Sequence, residues 1–196
     1  MEGSGVINFT NLDRLEDGLS LLSRLIDYPE KTTYADQLLP EVIDQYPKTD
    51  QKAELVTIVQ ELSQQTHLAQ QEHYAALFEM NKRYPLYMSY YRMADSRERG
   101  VLLAKLNMLY EMFGVSVKSR ELVDYLPMLL EFLVFGRFKG DSRNQDVSLA
   151  FQVIEDGTYH LLKNAAAKID DPYIRLVRVI RNELRGCVEM EGNAIG

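Results

Sequence analysis

The sequence predicts an all-α fold, a single-domain helical bundle with no sheet. Along most of the 196 residues, apolar side chains recur at steps of three and four, which places them on one face of successive helices. No segment alternates apolar and polar residues as a half-buried strand does. Hydrophobic residues make up 46% and charged residues 26%, as in an ordinary globular domain. Neither a repeat nor a linker divides the chain, so we expect one domain over residues 1–196.

Prolines separate the first predicted helices. The first helix ends at Pro29, because the residue before a proline is disfavoured in the helical conformation. A short helix over residues 34–46 is expected to be kinked near Pro40 and closed by Pro47. Residues 49–50 supply a cap for the third helix. The apolar stripes are Leu12, Leu15, Leu19, Leu22 and Ile26 in the first helix, and Leu55, Ile58, Val59 and Leu62 in the third.

Two charged turns open the most apolar helices of the chain. Asp95 with Glu98 three residues later resembles a capping box, and Gly114 lies where the helix that follows should end. Asp124 is expected to cap the next helix, with Pro127 in its first turn. The apolar stripes are Leu102, Leu106, Leu109 and Phe113, and then Leu126, Leu129, Leu130, Leu133 and Val134.

The N-terminus and the last third of the chain carry further signals. Residues 1–10, which open with Met-Glu-Gly-Ser-Gly, are expected to be disordered or to come from the expression vector. Residues 136–144 are basic, polar and glycine-containing, and are predicted to form a mobile loop. Helices then resume, with a break expected at Gly157. The dipeptide 171–172, Asp-Pro, is a strong start signal for the last helix, since it pairs a capping residue with a proline at the first helical position.

Composition excludes several classes of function. The net charge of −7 argues against a general nucleic-acid binder, because phosphate contacts need a basic surface. Cys187 is the only cysteine, which excludes an internal disulfide and fits a reducing compartment. No apolar run approaches the roughly 20 residues that a bilayer crossing needs. Residues 1–11 also lack the basic start and apolar stretch of a signal peptide. We therefore expect a cytoplasmic protein.

The sequence offers little catalytic or metal-binding chemistry. The three histidines, His67, His73 and His160, are scattered along the chain and form no ligand pair at helical spacing. No glycine loop leads into Lys-Ser or Lys-Thr, and no serine has the context of a nucleophile elbow. We expect neither enzyme activity nor a metal site nor a bound cofactor.

Two charged groupings and one aromatic segment stand out. Residues 96–100, Ser-Arg-Glu-Arg-Gly, place two arginines against the helix dipole, although a solvated helix start is the simpler interpretation. Gly100 inside an apolar helix suggests the close approach of another backbone. Residues 121–127 with Glu131 form an acidic grouping, for which a capped helix start is also the simpler interpretation.

The aromatic segment spans residues 84–93 and contains four tyrosines and two methionines. Residues 86–93 within it are interpreted as helix. This composition suits a surface that accepts a peptide, and it suits a buried core equally well.

Several segments occur in an order that resembles a known family. They read Leu22-Ser-Arg-Leu-Ile-Asp-Tyr-Pro29, Tyr74-Ala-Ala-Leu-Phe78, Asp95-Ser-Arg-Glu-Arg-Gly100, and Ser119-Arg-Glu-Leu-Val-Asp-Tyr-Leu-Pro127 followed by Leu130-Glu-Phe-Leu133. Together they resemble the NarJ family, the delta-type assembly chaperones of respiratory nitrate reductase, within the TorD-like group of redox-enzyme maturation proteins. In that family the acidic grouping usually reads Glu-Leu-Pro-Asp-His-Leu-Pro, whereas here Val123 replaces the proline and Tyr125 the histidine.

The resemblance implies an all-helical, cytoplasmic, non-catalytic chaperone. Such proteins bind the N-terminal segment of the apo catalytic (alpha) subunit of respiratory nitrate reductase. They hold it competent for insertion of the molybdenum cofactor and an iron–sulfur cluster before assembly at the membrane. The resemblance implies no nucleic-acid partner and no membrane insertion, and the chaperone is expected to be a monomer or a weak dimer.

We expect the peptide to lie in an apolar groove with charged margins. Glu121, Asp124 and Glu131 are predicted to meet basic residues of the peptide. The two arginines, Arg97 and Arg99, either hold the groove together or pair with acidic residues of the peptide. The full predicted set is Tyr74, Phe78, Arg97, Arg99, Leu102, Leu106, Glu121, Asp124, Tyr125, Leu126, Pro127 and Glu131.

Three alternative functions stay open on the sequence. The chain is compatible with a maturation chaperone for a different molybdoenzyme, and with a helical scaffold for an unrelated protein partner. Nucleotide binding, proposed for the wider group, is the third, and the missing phosphate loop counts against it.

Overall fold

The structure, a computed structural model, describes residues 6–118 and 120–189. Within that part of the chain the α-helices are α1 (Phe9–Arg14), α2 (Glu16–Ile26), α3 (Leu38–Gln45), α4 (Lys52–Ser63), α5 (His67–Tyr74), α6 (Tyr90–Met93), α7 (Arg97–Met112), α8 (Leu126–Phe135), α9 (Ser148–Asn164) and α10 (Pro172–Arg185). One turn of π-helix (Ala75–Glu79), which we call the π-turn, extends α5, and 3-10 turns span Asn144–Val147 and Ala166–Lys168. The predicted all-α class is confirmed.

One small sheet corrects the prediction that the fold has none. Strand β1 (Val6–Ile7) pairs antiparallel with β2 (Val188–Glu189), with Ile7 opposite Val188. Two-residue strands are too short to show alternation, so the sequence carries no signal for them. Of the residues predicted to be disordered, 1–5 lie outside the described residues, whereas 6–10 form β1 and the start of α1.

The core lies where α2 packs along α8, with α10 packed against α2, α4 and α9. Leu19, Leu22 and Ile26 on α2 and Leu129 and Leu130 on α8 are fully buried. These are residues of the predicted apolar stripes, so the spacing identified the inward faces. Full burial of one such side chain stabilises the folded state by about 1.5–3 kcal/mol.

The first predicted helix is in fact two helices, α1 and α2. The amide of Leu15 bonds to the carbonyl oxygens of both Asn11 and Leu12 at 3.1 Å, so the last turn of α1 tightens towards a 3-10 turn before α2 begins at Glu16. Both helices still face the core, and the apolar spacing therefore does not show the break.

The caps of the later helices follow the predictions in part. The side chain of Asp171 caps α10 by accepting a bond from the amide of Tyr173 at 3.0 Å, as predicted. The cap of α7 is Ser96 rather than Asp95, since the Ser96 hydroxyl accepts from the amide of Arg99 at 3.2 Å.

The helical glycine that another backbone approaches is Gly157 and not Gly100. Helix α9 runs through Gly157 without the predicted break, and a Cβ added there would lie 2.6 Å from the Cα and the carbonyl oxygen of Met88. A Cβ added at Gly100 would meet nothing within 4 Å beyond its own helix backbone and chain neighbours. The predicted close approach at Gly100 is therefore wrong for the described chain.

The segment 136–143 forms a loop between α8 and a 3-10 turn, and one aromatic side chain anchors it. Phe138 is buried, with its ring centroid 5.8 Å from that of Phe113 and 6.1 Å from that of Phe132. The amide of Arg137 also donates to the carbonyl oxygen of Phe113 at 2.9 Å. The loop is thus pinned to the core on one side, and its mobility stays a prediction.

None of the helices within residues 6–118 and 120–189 combines the length and the apolar content that a membrane crossing needs.

Candidate functional site

A segment that we call the strap, residues 81–96, crosses the start of α8. Tyr87 forms an antiparallel bridge with Tyr125. The amide of Leu126 donates to the carbonyl oxygen of Leu86 at 2.8 Å, and the amide of Met88 donates to that of Asp124 at 2.9 Å. Tyr87 is therefore a bridge residue between a bend and a turn, and only Tyr90–Met93 is helical within the stretch predicted as helix.

A buried ion pair fixes the strap to α7 and α8. The carboxylate of Asp124 lies 3.2 Å from Nη2 of Arg99 and accepts from the amide of Ser89 at 3.2 Å and from its hydroxyl. The Nε of Arg99 donates to the same hydroxyl at 3.0 Å. Asp124 is 0% and Arg99 7% exposed. We call Ser89, Arg99 and Asp124 the clamp.

The clamp bears on the roles predicted for these charged residues. The guanidinium group of Arg99 is bonded inside the protein to Asp124 and Ser89, and whether it also meets a peptide stays a prediction. Asp124 neither caps α8 nor faces solvent, so its predicted contact with a peptide is wrong for this conformation. The reason is electrostatic, since a buried carboxylate needs a partner and Arg99, 25 residues earlier, supplies it.

Beside the clamp lies a cleft of about 460 Å³, which we call the aromatic cleft. Five predicted residues line it, namely Tyr74, Phe78, Arg99, Glu121 and Tyr125. The other lining residues are Glu79, Asn81, Lys82, Pro85, Leu86, Tyr87, Tyr90, Asp95 and Leu122. Five aromatic rings thus share one opening with charged side chains of both signs at its margin.

Local structure positions the rings of this cleft. Phe78 is carried by the π-turn, a distortion often found at functional sites, and its ring lies 5.0 Å from that of Tyr74 in an edge-to-face arrangement. The hydroxyl of Tyr87 donates to the carboxylate of Glu121 across the cleft mouth. Burial, followed by this hydrogen bond, raises the pKa of Tyr87, so the phenol stays protonated at neutral pH.

Two tyrosine hydroxyls form the floor of the aromatic cleft. The hydroxyl of Tyr125 donates to the carboxylate of Asp27 at 2.9 Å and lies 2.8 Å from the hydroxyl of Tyr74. Burial is the main cause that raises the pKa of both phenols well above the ordinary value. The floor is therefore uncharged and links α5 and α8 to the end of α2.

A second cleft of about 440 Å³, the acidic cleft, lies between α2, α3 and α8. Its carboxylates come from Asp17, Asp27, Glu30, Glu41 and Glu131, and Arg24 faces them. Two large apolar side chains are exposed beside them, Tyr28 at 40% and Phe135 at 65%. The predicted residue Glu131 therefore belongs to this cleft and not to the aromatic one.

Asp27 connects the two clefts. It lines the acidic cleft, and it accepts the hydrogen bond from Tyr125 in the floor of the aromatic cleft. Burial, followed by repulsion from Asp27, raises the pKa of Glu131 above its ordinary value. A cationic group that entered the acidic cleft would relieve this repulsion.

Six predicted residues line neither cleft. Asp124 is bonded inside the clamp, Leu106, Leu126 and Pro127 are buried, and Leu102 is partly buried against the core. Leu102 and Leu106 lie along α7 and Leu126 and Pro127 in the first turn of α8, and in both places the apolar stripe faces the core, which explains the corrections for these four residues. Arg97 is exposed on α7, away from both openings.

Sequence reasoning missed several lining residues that carried a weak signal. Tyr87 and Leu86 belong to the aromatic segment, whose composition suits a peptide-accepting surface and a buried core equally and therefore does not single them out. Asp27 belongs to the segment 22–29 that supports the family resemblance. Only the contact of Asp27 with Tyr125, 98 residues later, shows its place at the site.

The described residues contain no group of three or more His, Cys, Asp or Glu side chains that could hold a metal ion. The lining of the aromatic cleft offers aromatic contact area and charged side chains.

Comparison with known proteins agrees with the geometry. The family described as nitrate reductase delta subunit matches residues 44–173, which include the strap, the clamp and the aromatic cleft. The chain is 32% identical over 116 residues to the probable nitrate reductase molybdenum cofactor assembly chaperone NarJ of Bacillus subtilis (strain 168). The aligned region covers 58% of this chain and 62% of that protein. It is 33% identical over 119 residues to the nitrate reductase molybdenum cofactor assembly chaperone NarJ of Escherichia coli (strain K12). Here the aligned region covers 59% of this chain and 50% of that protein.

The chain thus spans between 50% and 62% of the length of these curated relatives. The family match, by contrast, extends over more than half of the chain itself. The resemblance seen in the sequence is confirmed, and the chain belongs to the nitrate reductase delta subunit family.

Proposed function

We propose that this protein is an assembly chaperone for a respiratory nitrate reductase. It acts in the cytoplasm, binds the N-terminal segment of the apo catalytic subunit, and holds that subunit competent for insertion of its molybdenum cofactor and iron–sulfur cluster. The proposal assigns it no chemical step of its own. Two relatives carry the name of molybdenum cofactor assembly chaperone, which supports the general role.

The observation that carries the proposal is the aromatic cleft within the region that the family shares. Its walls are tied together by the clamp and by the bridge between Tyr87 and Tyr125, so the opening does not depend on a ligand. A preformed cleft with several aromatic rings suits a short amphipathic segment, because rigid rings offer large contact area at low entropic cost.

The charges suggest the polarity of the bound segment. Glu121, which accepts a hydrogen bond from Tyr87 at the mouth of the aromatic cleft, and Glu131 in the acidic cleft are exposed, whereas the clamp charges are buried. A client segment with apolar side chains on one face and lysine or arginine beside them would meet the rings and the exposed carboxylates together. Asp27 lies between these two positions, so one extended segment can reach both.

Calorimetric titration with a synthetic peptide tests the proposal. The peptide should match the first residues of the catalytic subunit encoded with this protein, and a scrambled peptide serves as the specificity control. We expect binding to weaken several-fold in Leu122→Ser, because Leu122 is an exposed apolar residue of the cleft.

Charge reversal separates the site from general acidity. Glu121→Lys and Glu131→Lys should each weaken binding by about 1 kcal/mol or more, and the loss should shrink at high salt. Asp44→Lys is the matched control, since Asp44 is exposed on α3 outside both clefts. Equal weakening in all three variants, or none in any, would contradict the assignment of the site.

The choice of client needs a separate measurement. Cells that lack the chaperone should accumulate a catalytic subunit without molybdenum, and expression of the present chain should restore its metal content. Restoration of a different molybdoenzyme alone would support the alternative client. Restoration of neither, with the peptide unbound, would favour a scaffold role.

A further inference from the structure

Helix α7 carries an outward stripe whose chemistry the peptide site does not use. Arg97, Val101, Ala104, Met108 and Glu111 follow one another at alternating steps of four and three, so they form a single line along the helix. We call them the α7 stripe. All five residues are exposed, including Val101 at 53% and Met108 at 68%.

The stripe lies on the opposite side of α7 from the clamp. Arg99 and Leu106 mark the buried side. At 100° per residue, the nine residues from Arg99 to Met108 place these two side chains about half a turn apart around the helix axis. Anything that docks on the stripe therefore approaches from the side away from Arg99 and leaves the aromatic cleft open.

The stripe is self-complementary in charge and in shape. Arg97 and Glu111 lie seven residues before and after Ala104, and Gly100 and Met108 lie four residues before and after it. In an antiparallel pair of α7 helices, Arg97 of one copy would face Glu111 of the other at both ends. Met108 of each copy would lie over Gly100 of the other, where a side chain is missing and the space beside the helix is open.

Other features of the same helix agree with this pairing. The carboxylate of Glu111 is held by the side-chain amide of Asn107 at 3.0 Å, which restrains it at the end of the stripe. Ala104 at the centre is small, so two helices can approach closely there. Antiparallel helices also align their dipoles favourably.

We propose that the α7 stripe is a self-association surface, on which a second copy of this chain docks antiparallel about a two-fold axis at Ala104. The same patch then serves both copies, as a two-fold interface requires. A helix of 16 residues is about 24 Å long. One helix pair buries less than the area of a standard stable interface, so the dimer is expected to be weak and dependent on concentration.

Sedimentation velocity of the full chain, from micromolar to millimolar concentration, tests the proposal. The unaltered chain should pass from monomer to dimer within this range. Met108→Lys should weaken dimerisation at least ten-fold, with an unchanged melting temperature because Met108 is exposed. It should also bind the client peptide as the unaltered chain does.

A charge exchange tests the register. Arg97→Glu and Glu111→Arg should each weaken the dimer several-fold, and the double exchange should restore it, because each pair is then rebuilt with the charges reversed. A chain that stays monomeric throughout, a dimer unaffected by Met108→Lys, or a double exchange no better than the single ones would each overturn the proposal.

A cross-link tests the axis directly. Ala104→Cys should form an intermolecular disulfide on oxidation, because a residue on the axis meets its own copy. Ala167→Cys, which replaces another exposed alanine, on a 3-10 turn, is the control. Cys187 is buried and does not compete. Equal cross-linking of the two variants would also overturn the proposal.

Discussion

The aromatic cleft and the acidic cleft are similar in volume but are built differently. Beside the aromatic cleft, the clamp residues Arg99 and Asp124 are buried and bonded to each other, and the backbone bridge at Tyr87 joins the walls. In the acidic cleft, most carboxylates reach solvent, and Arg24 is paired with Glu41 at 2.6 Å.

The difference teaches that charge performs two separate tasks in this site. Buried charge fixes shape, because an ion pair inside the protein is strongly destabilising when one partner is removed. Exposed charge contributes little to stability and stays available to a ligand. Substitution of the buried clamp charges should therefore lower the free energy of unfolding, whereas substitution of the exposed charges of either cleft should mainly lower ligand affinity.

The largest expected effect follows from removal of Asp124. Asp124→Ala leaves the guanidinium group of Arg99 buried without its main partner, so the free energy of unfolding should fall by about 3–5 kcal/mol. Urea denaturation monitored by circular dichroism measures this loss. Glu131→Ala in the acidic cleft is the matched control and should change the same quantity by no more than about 0.5 kcal/mol.

The double variant Asp124→Ala with Arg99→Ala sharpens this test. Because the two residues form one unit, removal of both should cost less than the sum of the single losses. Additive losses would mean that the clamp does not act as a pair, and the distinction between the clefts would fail.

A medium effect is expected where the strap rests on α9. In Gly157→Ala the added methyl group would lie 2.6 Å from the backbone of Met88, so the strap has to move. Overpacking of this kind costs about 1–3 kcal/mol. Gly100→Ala on α7, where the space is open, is the control and should stabilise the protein by up to about 1 kcal/mol.

Peptide affinity separates displacement of the strap from general destabilisation. Gly157→Ala should bind the client peptide more weakly even at temperatures where the variant is fully folded, because Tyr87 and Leu86 shift with the strap. Unchanged affinity in the folded variant would show that the strap does not shape the cleft.

Local spacing predicted much of the fold but little of the pairing between segments. The stripes on α2 and α8 were found because a period of three and four residues reports which face of a helix is buried. The same signal does not distinguish a core from a groove, since both are apolar. Leu106 and Leu126 were therefore assigned to the site, although both are fully buried.

The charged residues show a second limit of sequence reasoning. An aspartate before a helix is typically a cap, and Asp124 was assigned on that basis. Its actual partners, Ser89 and Arg99, lie 35 and 25 residues earlier. The family resemblance, and not periodicity, indicates Arg99, Glu121 and Tyr125, which all line the aromatic cleft. Their contact with a peptide stays a prediction.

The smallest expected effect is the dependence of stability on pH at Glu131. Its pKa in the folded state is raised by burial and by Asp27, whereas the unfolded chain has the ordinary value near 4.5. The protonated form is thus favoured by folding, and the stability that it contributes is present below that value and is lost as pH rises through the folded pKa. Glu131→Gln stays uncharged, so it should match the unaltered chain at pH 4 and exceed it slightly at pH 7.

The difference at neutral pH should stay below about 1 kcal/mol, because the carboxylate is largely open to solvent and its repulsion is screened. Urea denaturation between pH 4 and pH 7 measures it, with Asp44→Asn outside the clefts as the control. The same Glu131→Gln variant should bind a basic client peptide more weakly at pH 7. A variant that lost stability and kept its affinity would reverse the roles assigned to the two clefts, since the exposed charge would then be fixing shape.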